Sequence, residues 1–571
     1  MNVHVFATDY DGTIAERNHL SAPTIAALER VRASGRRLLL VTGRMLPDLR
    51  AVCPDADRLF DAIVAENGGL LYFPERREVR TLGDAPEPAL VAALQRRGVP
   101  ITLGNSIVAT LAPFAEAALD AIRETGVERS LVFNKDALML LPGGVTKGTG
   151  LEAALDALQL SPHNMAGIGD AENDHAFLAL CEYAVAVADA VPALRERADH
   201  VTRAPAARGA VEFIEEHLLQ DLAALVPRIE RHRLTLGELP DGQPLAIPAH
   251  GTRLLVAGPS QSGKSTLTGV LVERIVESGR TLLLLDPEGD HGTLADLEGV
   301  VVLGGQTEQQ LPATDEVQQL LRQPRTSLVL NMSAMTRDEK VAYAAQVLAT
   351  TAATRSASGL PHWLILDEAH HLLPPEGSPA SELLQPGTEA LCLITLTAQD
   401  LTPAVRGLPN MVASTELEAL AAAVKAVRAG AGVPGLDGAP LGRGEAAIAW
   451  LSPTPRAARF RVGRRRVQHR RHVRKYVEGE LPPERSFFFR GPQNALNLRA
   501  ANLQRFVELA DGVDEATWAH HLQRGDYSRW LREMVKDTEL ADEIGAVERA
   551  ALAPADSRRQ ALDRIRARYA V

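Results

Sequence analysis

The chain has 571 residues, of which 46% are hydrophobic and 23% charged, and its formal net charge at pH 7 is −11. This length exceeds what one hydrophobic core supports, so we expect about three or four domains. The acidic balance argues against a protein that coats nucleic acid, and any nucleic-acid contact must be local. The three cysteines match neither a disulfide framework nor zinc-ligand spacing, which favours core thiols in a reducing compartment.

The N-terminus is expected to be a β-strand and not a signal peptide, because VHVFAT leads directly into DYDGT. No apolar run approaches the ~20 residues that a membrane span needs. The sequence therefore predicts a cytoplasmic protein without a membrane partner.

Up to about residue 220, short β-rich runs alternate with amphipathic helical stretches, as in a doubly wound α/β domain with a parallel sheet. Residues 221–233 are expected to form a helical connector. A second α/β series follows over residues 234–460, with strands predicted at RLLVAG, TLLLLDPEGD, TSLVLNMS, HWLILDEAHH and CLITLTAQD. Residues 461–571 begin with an arginine run and continue as a predicted small helical domain.

Two carboxylates, Asp9 and Asp11, follow the first predicted strand in the stretch DYDGT. One carboxylate can attack phosphorus to form an aspartyl-phosphate. The second can protonate the leaving oxygen and later deprotonate the attacking water. A divalent cation such as Mg²⁺ would offset the repulsion between them. For this stretch alone, a simple Asp-Gly turn is the alternative interpretation.

Three further stretches carry polar residues at strand ends or helix starts. They are LLLVTGR with Thr42, GVTKGTGL with Lys147, and GIGDAENDHAF with Asp170 and Asp174. Together with DYDGT, and in this order, they resemble the four motifs of the haloacid dehalogenase superfamily over residues 1–220. The resemblance implies a Rossmann-like parallel sheet. It also implies hydrolysis of phosphate esters, because an acid occupies the second position of the carboxylate pair.

The resemblance further implies a role for each motif residue. Asp9 would be the nucleophile, Asp11 the general acid and base, and Thr42 and Lys147 would hold the phosphoryl oxygens. A Mg²⁺ site with its supporting shell would be formed by Asp9, the backbone of Asp11, Asp170, Asn173 and Asp174.

About a hundred residues separate the second motif from the third, and AENGGLLYF follows the second. This spacing resembles the Cof-type subgroup of the superfamily, in which a cap domain covers the active site, here over about residues 75–140. The implied substrate is a small phosphorylated molecule, commonly a sugar phosphate in this family. Asn105, Lys135 and Asp136 do not identify it, since surface exposure explains each of these cap residues better than substrate contact does.

The second α/β series opens with RLLVAGPSQSGKSTLTGVLVERI, a GxxxxGK[ST] pattern between a predicted strand and helix. Glycines let backbone N–H groups wrap a polyphosphate, Lys264 would reach the β and γ phosphates, and Ser265 would ligate Mg²⁺. The strand and helix context disfavours a chance glycine-rich turn. The predicted ATP-binding residues of this loop are Gly258, Ser262, Gly263, Lys264, Ser265 and Thr266.

Asp367 and Glu368 end the predicted strand in HWLILDEAHHLLP. Aspartate suits the Mg²⁺ shell, and glutamate suits activation of the water that attacks the γ-phosphate. Gln399 ends the next strand in LCLITLTAQD, where it could sense the γ-phosphate. His370 and His371 are interpreted as loop or helix-start residues in preference to metal ligands.

With LDPEGD and VRGLPNMVAS, these stretches resemble the HerA and FtsK type of ATPase over residues 234–460. The resemblance implies a RecA-like fold, ATP hydrolysis and a homo-oligomer such as a ring, because a partner subunit supplies an arginine finger in that family. Arg406 and Arg443 are candidates for that finger by location alone.

Eight basic residues crowd into the fifteen positions from Arg461 to Lys475. This run could bind the phosphates of DNA or RNA. A solvated arm, or one that pairs with acidic neighbours in an oligomer, is the alternative. The region after it resembles a small helical module of unassigned function. Its aromatic residues are predicted to be core and not a binding platform: Phe487 to Phe489, Trp518 and Trp530.

The sequence favours a bifunctional enzyme, a Mg²⁺-dependent phosphate-monoester phosphatase fused to an ATP-hydrolysing motor or switch. A polynucleotide kinase-phosphatase is one alternative, although Asp367 beside Glu368, Gln399 and the cap argue against it. In the other alternative, the ATPase is an ATP-controlled assembly or regulatory module that governs a small-molecule phosphatase.

Overall fold

The computed structural model describes residues 3–134, 136–225, 232–305, 311–388, 390–428, 440–452, 455–465, 481, 483–535, 537–550 and 552–569. The chain divides into two compact units, one of residues 1–289 and 297–465 and one of residues 290–296 and 466–571. The first unit contains two α/β sheets, which confirms the predicted fold class. Among the described helices, none combines the length and the apolar character needed to cross a membrane.

The N-terminal part of the first unit alternates strands and helices, as predicted. Its strands are β1 (Val5–Thr8), β2 (Arg37–Val41), β3 (Ala62–Ala65), β4 (Leu70–Phe73), β5 (Glu78–Thr81), β6 (Thr102–Leu103), β7 (Val108–Leu111), β8 (Arg129–Asn134), β9 (Ala137–Pro142), β10 (Met165–Gly169), β11 (Tyr183–Ala186) and β12 (His200–Val201). Its helices are α1 (Ala22–Ala33), α2 (Leu46–Val52), α3 (Ala56–Leu59), α4 (Pro88–Arg96), α5 (Ala115–Thr125), α6 (Lys147–Leu158), α7 (His175–Leu180), α8 (Pro192–Arg197) and α9 (Ala206–Glu216).

The main sheet of this part has eight strands in the order β12-β11-β10-β1-β2-β3-β4-β5. The central strands β10, β1 and β2 run parallel, with Val5 opposite both Met165 and Arg37. Every residue of β1 and β10 is buried, because helices cover both faces of the sheet. This burial explains the nearly continuous apolar runs of these strands.

The cap is a separate antiparallel sheet in the order β6-β7-β9-β8. Helices α4 and α5 cover one face of it, with Leu94, Ala118 and Leu138 in the shared core. Strand β5 pairs with β4 in the main sheet and therefore lies outside the cap. The cap elements run from Pro88 to Pro142, somewhat later than the expected range of 75–140.

The helical connector expected over residues 221–233 is wrong in its described part. Residues 221–225 form turns, and residues 226–231 lie outside the described part of the chain. Asp221 and Leu222 have φ angles of +51° and +57°, which ends the preceding helical turn because an α-helix needs negative φ.

The second part of the first unit is built in the same alternating way. Its strands are β13 (Leu234–Glu238), β14 (Pro244–Ile247), β15 (Arg253–Ala257), β16 (Leu282–Asp286), β17 (Val300–Gly304), β18 (Ser327–Asn331), β19 (Trp363–Leu366), β20 (Leu391–Thr395), β21 (Met411–Ser414), β22 (Glu445–Trp450) and β23 (Arg456–Val462). Its helices are α10 (Lys264–Glu277), α11 (Thr314–Leu321), α12 (Arg337–Ser358), α13 (Pro379–Glu382), α14 (Pro403–Arg406) and α15 (Leu417–Val427).

These strands form one sheet in the order β14-β13-β23-β22-β21-β15-β20-β19-β16-β18-β17. The strands from β21 to β17 run parallel, and β22 pairs antiparallel with β21 and with β23. Strand β20 lies between β15 and β19. Strands β16, β19 and β20 are buried along their whole length.

The two parts of the first unit meet at a buried polar cluster centred on Glu182, just before β11. The Glu182 carboxylate accepts hydrogen bonds from His163 Nδ1 at 2.7 Å and from His250 Nε2 at 2.8 Å, and it pairs with Arg280. The side chains of Glu182 and Arg280 are fully buried. We call the junction the set of residues Ser161, His163, Glu182, His250, Arg280, Thr281 and His362.

His362 completes the junction just before β19. Its Nδ1 accepts the N–H of Thr281 at 2.9 Å, so its Nε2 carries the proton and donates to Ser161 Oγ at 3.0 Å. The junction residues precede strands of both sheets. The two sheets therefore meet near the amino ends of their strands, and ligand sites of parallel sheets lie at the opposite ends.

The described elements of the second unit are two short strands and several helices. They are β24 (Phe487–Phe489), β25 (Leu498–Ala500), α16 (Leu503–Gly512), α17 (Glu515–Gln523), α18 (Asp526–Trp530), a π-helical turn (Leu531–Val535), α19 (Thr538–Arg549) and α20 (Pro554–Tyr569). Phe487, Phe489, Trp518 and Trp530 are buried in one cluster, which confirms them as core residues. Phe488 is half-buried. The three cysteines of the first unit are also buried, as predicted.

Candidate functional site

Three of the four phosphatase motifs lie at one edge of the N-terminal sheet. Asp9 follows β1, Thr42 follows β2 and Asp170 follows β10. Because these neighbouring strands are parallel, their carboxyl ends meet at this edge. The N–H of Asp9 donates to the Ile168 carbonyl at 3.0 Å, and the N–H of Thr42 donates to the Val64 carbonyl at 2.8 Å. The sheet therefore brings together residues that are far apart in sequence.

Lys147 is the first residue of α6 and brings positive charge to this edge. Thr146 caps the helix, because its hydroxyl accepts the N–H of Thr149 at 3.1 Å. Lys147 Nζ lies 2.6 Å from Asp9 Oδ1 and 2.6 Å from Asp174 Oδ1. The Lys147 side chain is 1% exposed, so both ion pairs are shielded from water.

Burial and neighbouring charges shift the pKa values of Asp9 and Lys147 in opposite directions. Burial raises the pKa of Asp9 well above its usual range, Lys147 opposes this rise, and Asp174 and Asp170 add to it. Burial alone would lower the pKa of Lys147, but the neighbouring Asp174 and Asp9 carboxylates raise it. Lys147 is therefore held as an ammonium ion, which suits it to bind phosphoryl oxygens.

Asp174 organises the loop that follows β10. Its Oδ2 accepts the N–H groups of Asp170 at 2.8 Å and Ala171 at 2.9 Å. Its Oδ1 accepts the Lys147 ammonium. Both carboxylate oxygens of Asp174 are thus engaged with the protein, and they hold the loop and the lysine in one arrangement.

Carboxylate oxygens of Asp9, Asp170 and Asp174 all lie within 4.8 Å of one another, and all three residues are buried. Thr13 Oγ1 donates to Asp170 Oδ1 at 2.8 Å. The Lys147 ammonium contacts two of these three buried carboxylates, those of Asp9 and Asp174. Oxygen donors of this kind are those that Mg²⁺ prefers, so the residues present fit the predicted metal.

Asp11 is held by Arg44, a residue that the motifs did not single out. Arg44 Nε donates to Asp11 Oδ2 at 2.7 Å and Arg44 Nη2 donates to Asp11 Oδ1 at 2.6 Å. The same Nη2 donates to Asn18 Oδ1 at 2.6 Å. This bidentate contact fixes the orientation of the Asp11 carboxylate. The sequence could have suggested Arg44 as a site residue, because it comes two residues after Thr42.

The polar cap residues have different surroundings. Asn105 donates from its backbone N and its Nδ2 to the Glu66 carboxylate, each at 3.0 Å, and so binds the base of the cap. Asp136 is exposed, and Lys135 lies outside the described residues. Glu66, which sequence reasoning missed, is fully buried.

The GxxxxGK[ST] stretch forms the loop between β15 and α10. Gly263 has a φ of +105° immediately before the helix, a conformation that favours glycine. Lys264 is buried, and its Nζ donates to the carbonyls of Gly258 at 2.7 Å and Pro259 at 2.9 Å. The other polar residues of the loop and first helical turn are half-buried or exposed: Ser262, Ser265 and Thr266.

Asp367 and Glu368 follow β19 in a tight turn. The N–H of Glu368 donates to Asp367 Oδ1 at 3.0 Å, and Glu368 has a φ of +38°, which is strained for a non-glycine residue. His370 Nδ1 lies 3.6 Å from Glu368 Oε2 and 3.3 Å from Thr395 Oγ1. His370 and His371 belong to a short 3₁₀ turn, as interpreted from the sequence.

Gln399 is exposed in the 3₁₀ turn Ala398–Asp400 that follows β20. Strand β20 lies between β15 and β19, and all three are parallel. Gln399 therefore follows the strand that lies between the one before the Lys264 loop and the one before Asp367. All three predicted nucleotide motifs therefore lie at one edge of the second sheet.

The start of the arginine run is part of the fold. Arg461 lies in β23, opposite Glu445 of β22. Arg465 lies beside α10, where its Nε is 3.3 Å from Glu273 Oε1. The alternative of a solvated arm is wrong for these two residues, because Arg461 lies in a strand and Arg465 contacts a buried carboxylate. The remainder of the run, residues 466–475, lies outside the described residues.

Comparisons with known proteins cover the N-terminal part of the first unit. Residues 6–101 and 114–214 match the family of haloacid dehalogenase-like hydrolases. A phosphoglycolate phosphatase of Methanothermobacter thermautotrophicus is 31% identical over 226 residues, which are 38% of this chain and 99% of that protein. One of Haloarcula marismortui is 31% identical over 218 residues, which are 36% of this chain and 93% of that protein.

Among solved structures, a haloacid dehalogenase-like hydrolase from Bacteroides thetaiotaomicron has a TM-score of 0.34 and 19% identity, with 38% of this chain and 99% of that chain covered. The parallel sheet with its separate antiparallel cap is of the Rossmann-like type. The chain belongs to the haloacid dehalogenase-like hydrolase family.

Residues 237–360 match a second family, the central domain of helicase HerA. Both resemblances read from the sequence are therefore confirmed. The chain is an enzyme that joins a phosphatase domain of the haloacid dehalogenase type to an ATPase domain of the HerA type.

Proposed function

We propose that this chain is a bifunctional hydrolase that cleaves a small phosphate monoester at Asp9, with Mg²⁺ bound, and ATP beside Lys264. The observation that carries the first half is the position of Lys147 Nζ, 2.6 Å from both Asp9 and Asp174 in a buried site. An ammonium there can balance the charge of a phosphoryl group that arrives next to a carboxylate nucleophile.

In the proposed reaction, an Asp9 oxygen attacks phosphorus while the bond to the leaving oxygen breaks. Asp11, oriented by Arg44, donates a proton to that oxygen. Asp11 then takes a proton from water, which attacks phosphorus and releases Asp9 and inorganic phosphate. Mg²⁺ bound by Asp9, Asp170 and the Asp11 carbonyl would supply positive charge that offsets the charge of the phosphoryl group.

The first substrate candidate is 2-phosphoglycolate. The support is that relatives carrying the name phosphoglycolate phosphatase align over 93–99% of their own length.

The phosphatase half is tested by phosphate release from 2-phosphoglycolate, sugar phosphates and an aryl phosphate, with Mg²⁺ or with chelator. We expect the highest kcat/KM for 2-phosphoglycolate and loss of at least about 10³-fold in Asp9→Asn, because the nucleophile is removed. Asp120→Asn, the same change at an exposed cap position, is the control. Asp9→Asn protein that still hydrolyses these esters would refute the assignment.

The ATPase half is supported by the Lys264 loop and the Asp367 and Glu368 turn at one sheet edge. Transfer of labelled γ-phosphate distinguishes hydrolysis from the kinase alternative. We expect the label in inorganic phosphate and its loss in Lys264→Ala, with Lys425→Ala at an exposed position of α15 as the control. Label on a 5′-hydroxyl oligonucleotide would instead make the protein a polynucleotide kinase.

A second candidate function, control of the phosphatase by the nucleotide site, is favoured by the junction. Glu182 and Ser161 of one part bond directly to Arg280 and His362 of the other, and these residues are buried. Strand β10 begins near this contact and ends at Asp170. Phosphatase rates measured with and without a non-hydrolysable ATP analogue test this candidate, and an unchanged rate contradicts it.

A further inference from the structure

A turn at the base of the cap contains two consecutive residues in the left-handed region. Glu66 and Asn67 follow β3 with φ angles of +54° and +52°. Non-glycine residues in this region are strained unless their surroundings stabilise the turn. Both side chains are buried, at 0% and 1% exposure, so their contacts provide that stabilisation.

The Glu66 carboxylate binds the turn between cap strands β6 and β7 through four hydrogen bonds. Oε1 accepts the backbone N and the Nδ2 of Asn105, each at 3.0 Å. Oε2 accepts the backbone N of Ser106 at 2.9 Å and its Oγ at 3.2 Å. The approach is close, because a Cβ on Gly104 would lie 2.7 Å from Glu66 Oε2 and one on Gly69 would lie 1.8 Å from Ser106 Oγ.

This contact continues into the rest of the cap through Arg129, at the start of β8. The Arg129 guanidinium donates to the carbonyls of Ser106, Asp84 and Ala85, and it pairs with Glu87 at 3.0 Å. Strand β8 also lies against the segment Glu172–Asp174 of the phosphatase site. Arg129 therefore connects the β6–β7 turn to a cap strand that lies against the site.

Asn67, the second residue of the turn, connects the cap with the loop after β10. Its Oδ1 accepts from Asn173 Nδ2 at 2.9 Å, and its Nδ2 contacts the Met139 sulfur on cap strand β9. One turn thus binds the cap through Glu66 and the loop carrying Asp170 and Asp174 through Asn67.

We propose that Glu66 is a positioning residue that fixes the cap above Asp9 and thereby sets which leaving groups the phosphatase accepts. This inference rests on the proposed phosphatase function for its kinetic consequence. Glu66 does not touch the reacting atoms; it acts through Asn105, Ser106 and the cap strands behind them. Its loss should therefore alter substrate selection more than the chemistry at Asp9.

Glu66→Gln tests this role, because glutamine keeps the shape while its Nε2 donor would meet the N–H and O–H donors of Asn105 or Ser106. We expect the KM for 2-phosphoglycolate to rise about tenfold, with kcat for an aryl phosphate within about twofold of wild type. The ratio of kcat/KM for 2-phosphoglycolate to kcat/KM for the aryl phosphate would fall accordingly. Glu212→Gln is the matched control, since Glu212 also accepts two backbone N–H groups, from Arg203 and Ala204, outside the cap.

Hydrogen exchange supplies a readout that does not need activity. Amides of residues 102–111 should exchange faster in Glu66→Gln than in wild type or Glu212→Gln, at equal melting temperature. If Glu66→Gln folds poorly, Ser106→Ala is the replacement variant, because it removes only one donor to Glu66. It should raise the exchange rates and the KM in the same direction, by smaller factors. Unchanged exchange in the cap, or an equal loss of kcat/KM for both substrates, would overturn the positioning role.

Different results identify a failure of the proposed function and a failure of the Glu66 proposal. Wild-type protein that hydrolyses no phosphate ester would refute the phosphatase proposal. The exchange measurement would still decide whether Glu66 holds the cap.

Discussion

At the scale of single residues, the phosphatase site contains candidate catalytic carboxylates and also the side chains that orient them. Arg44 contacts both oxygens of Asp11, and Lys147 lies between Asp9 and Asp174. Such contacts fix orientation before substrate binds, which lowers the cost of reaching the transition state.

Arg44→Ala should leave the Asp11 carboxylate free to rotate. We expect kcat for the preferred ester to fall about 10- to 100-fold, less than most of the ~10²- to 10⁴-fold range of general acid–base catalysis because Asp11 itself remains, while the KM changes little. Steady-state kinetics measure both parameters. Arg50→Ala is the control, because Arg50 stacks on Tyr72 at the exposed side of α2. An unchanged kcat in Arg44→Ala would show that Asp11 needs no such support.

At the scale of elements, helix α10 after the nucleotide loop is packed against the end of β23. Gly269 of α10 leaves room for the Arg465 guanidinium, since a Cβ there would lie 2.2 Å from Arg465 Cζ. Arg465 pairs with Glu273, whose side chain is fully buried one turn further along the helix. A helix-weakening glycine is therefore retained where an arginine crosses the helix.

A double-mutant cycle tests this packing. Gly269→Ala should destabilise the protein by about 1–3 kcal/mol, because the methyl group displaces Arg465 from Glu273. In an Arg465→Ala background the same change should be neutral or stabilising by up to about 1 kcal/mol, since alanine is the better helix former. Urea unfolding measures each free energy. Equal effects of Gly269→Ala in both backgrounds would contradict the packing argument.

The sequence predicts these elements and motifs well where they depend on local patterns. Apolar runs followed by polar residues identify β1, β10, β15 and β19 together with Asp9, Asp170 and Lys264. It does not predict contacts between distant segments, such as the Ser161 to His362 hydrogen bond across 201 residues. Glu66 was missed for the same reason, because only the folded cap brings Asn105 and Ser106 to it.

At the scale of the whole molecule, the junction makes the stability of the first unit depend on pH. Burial lowers the pKa of His362 well below its usual value, and the nearby His163 and Arg280 lower it further. Burial also lowers the pKa of His163. Burial alone would raise the pKa of Glu182, but hydrogen bonds from His163 and His250 and the charge of Arg280 hold it well below its usual range.

The sign of the pH effect follows from these directions. Below about pH 6.5 the unfolded chain protonates histidines that stay neutral in the fold, so stability falls as pH falls, by up to about 1.4 kcal/mol per pH unit for each histidine. The contribution of Glu182 is present above about pH 4.5 and is lost only at lower pH. Chemical unfolding between pH 7.5 and 5 measures the effect.

His362→Asn should flatten this dependence, because asparagine can still accept the Thr281 N–H through its side-chain oxygen but does not titrate. The variant should be less stable than wild type at pH 7.5, with the difference shrinking toward pH 5. Parallel curves for the two proteins would mean that His362 is not a source of the pH dependence.

The central claim is that one chain carries two separate hydrolytic sites, and reciprocal inactivation tests it most directly. Phosphate release from 2-phosphoglycolate and ADP formation from ATP are measured for wild type, Asp9→Asn, Lys264→Ala and the double variant. We predict that Asp9→Asn abolishes ester hydrolysis and retains ADP formation, that Lys264→Ala does the reverse, and that the double variant has neither activity. ADP formation that disappears in Asp9→Asn but persists in Lys264→Ala would contradict the account, because ATP would then be hydrolysed at the phosphatase site.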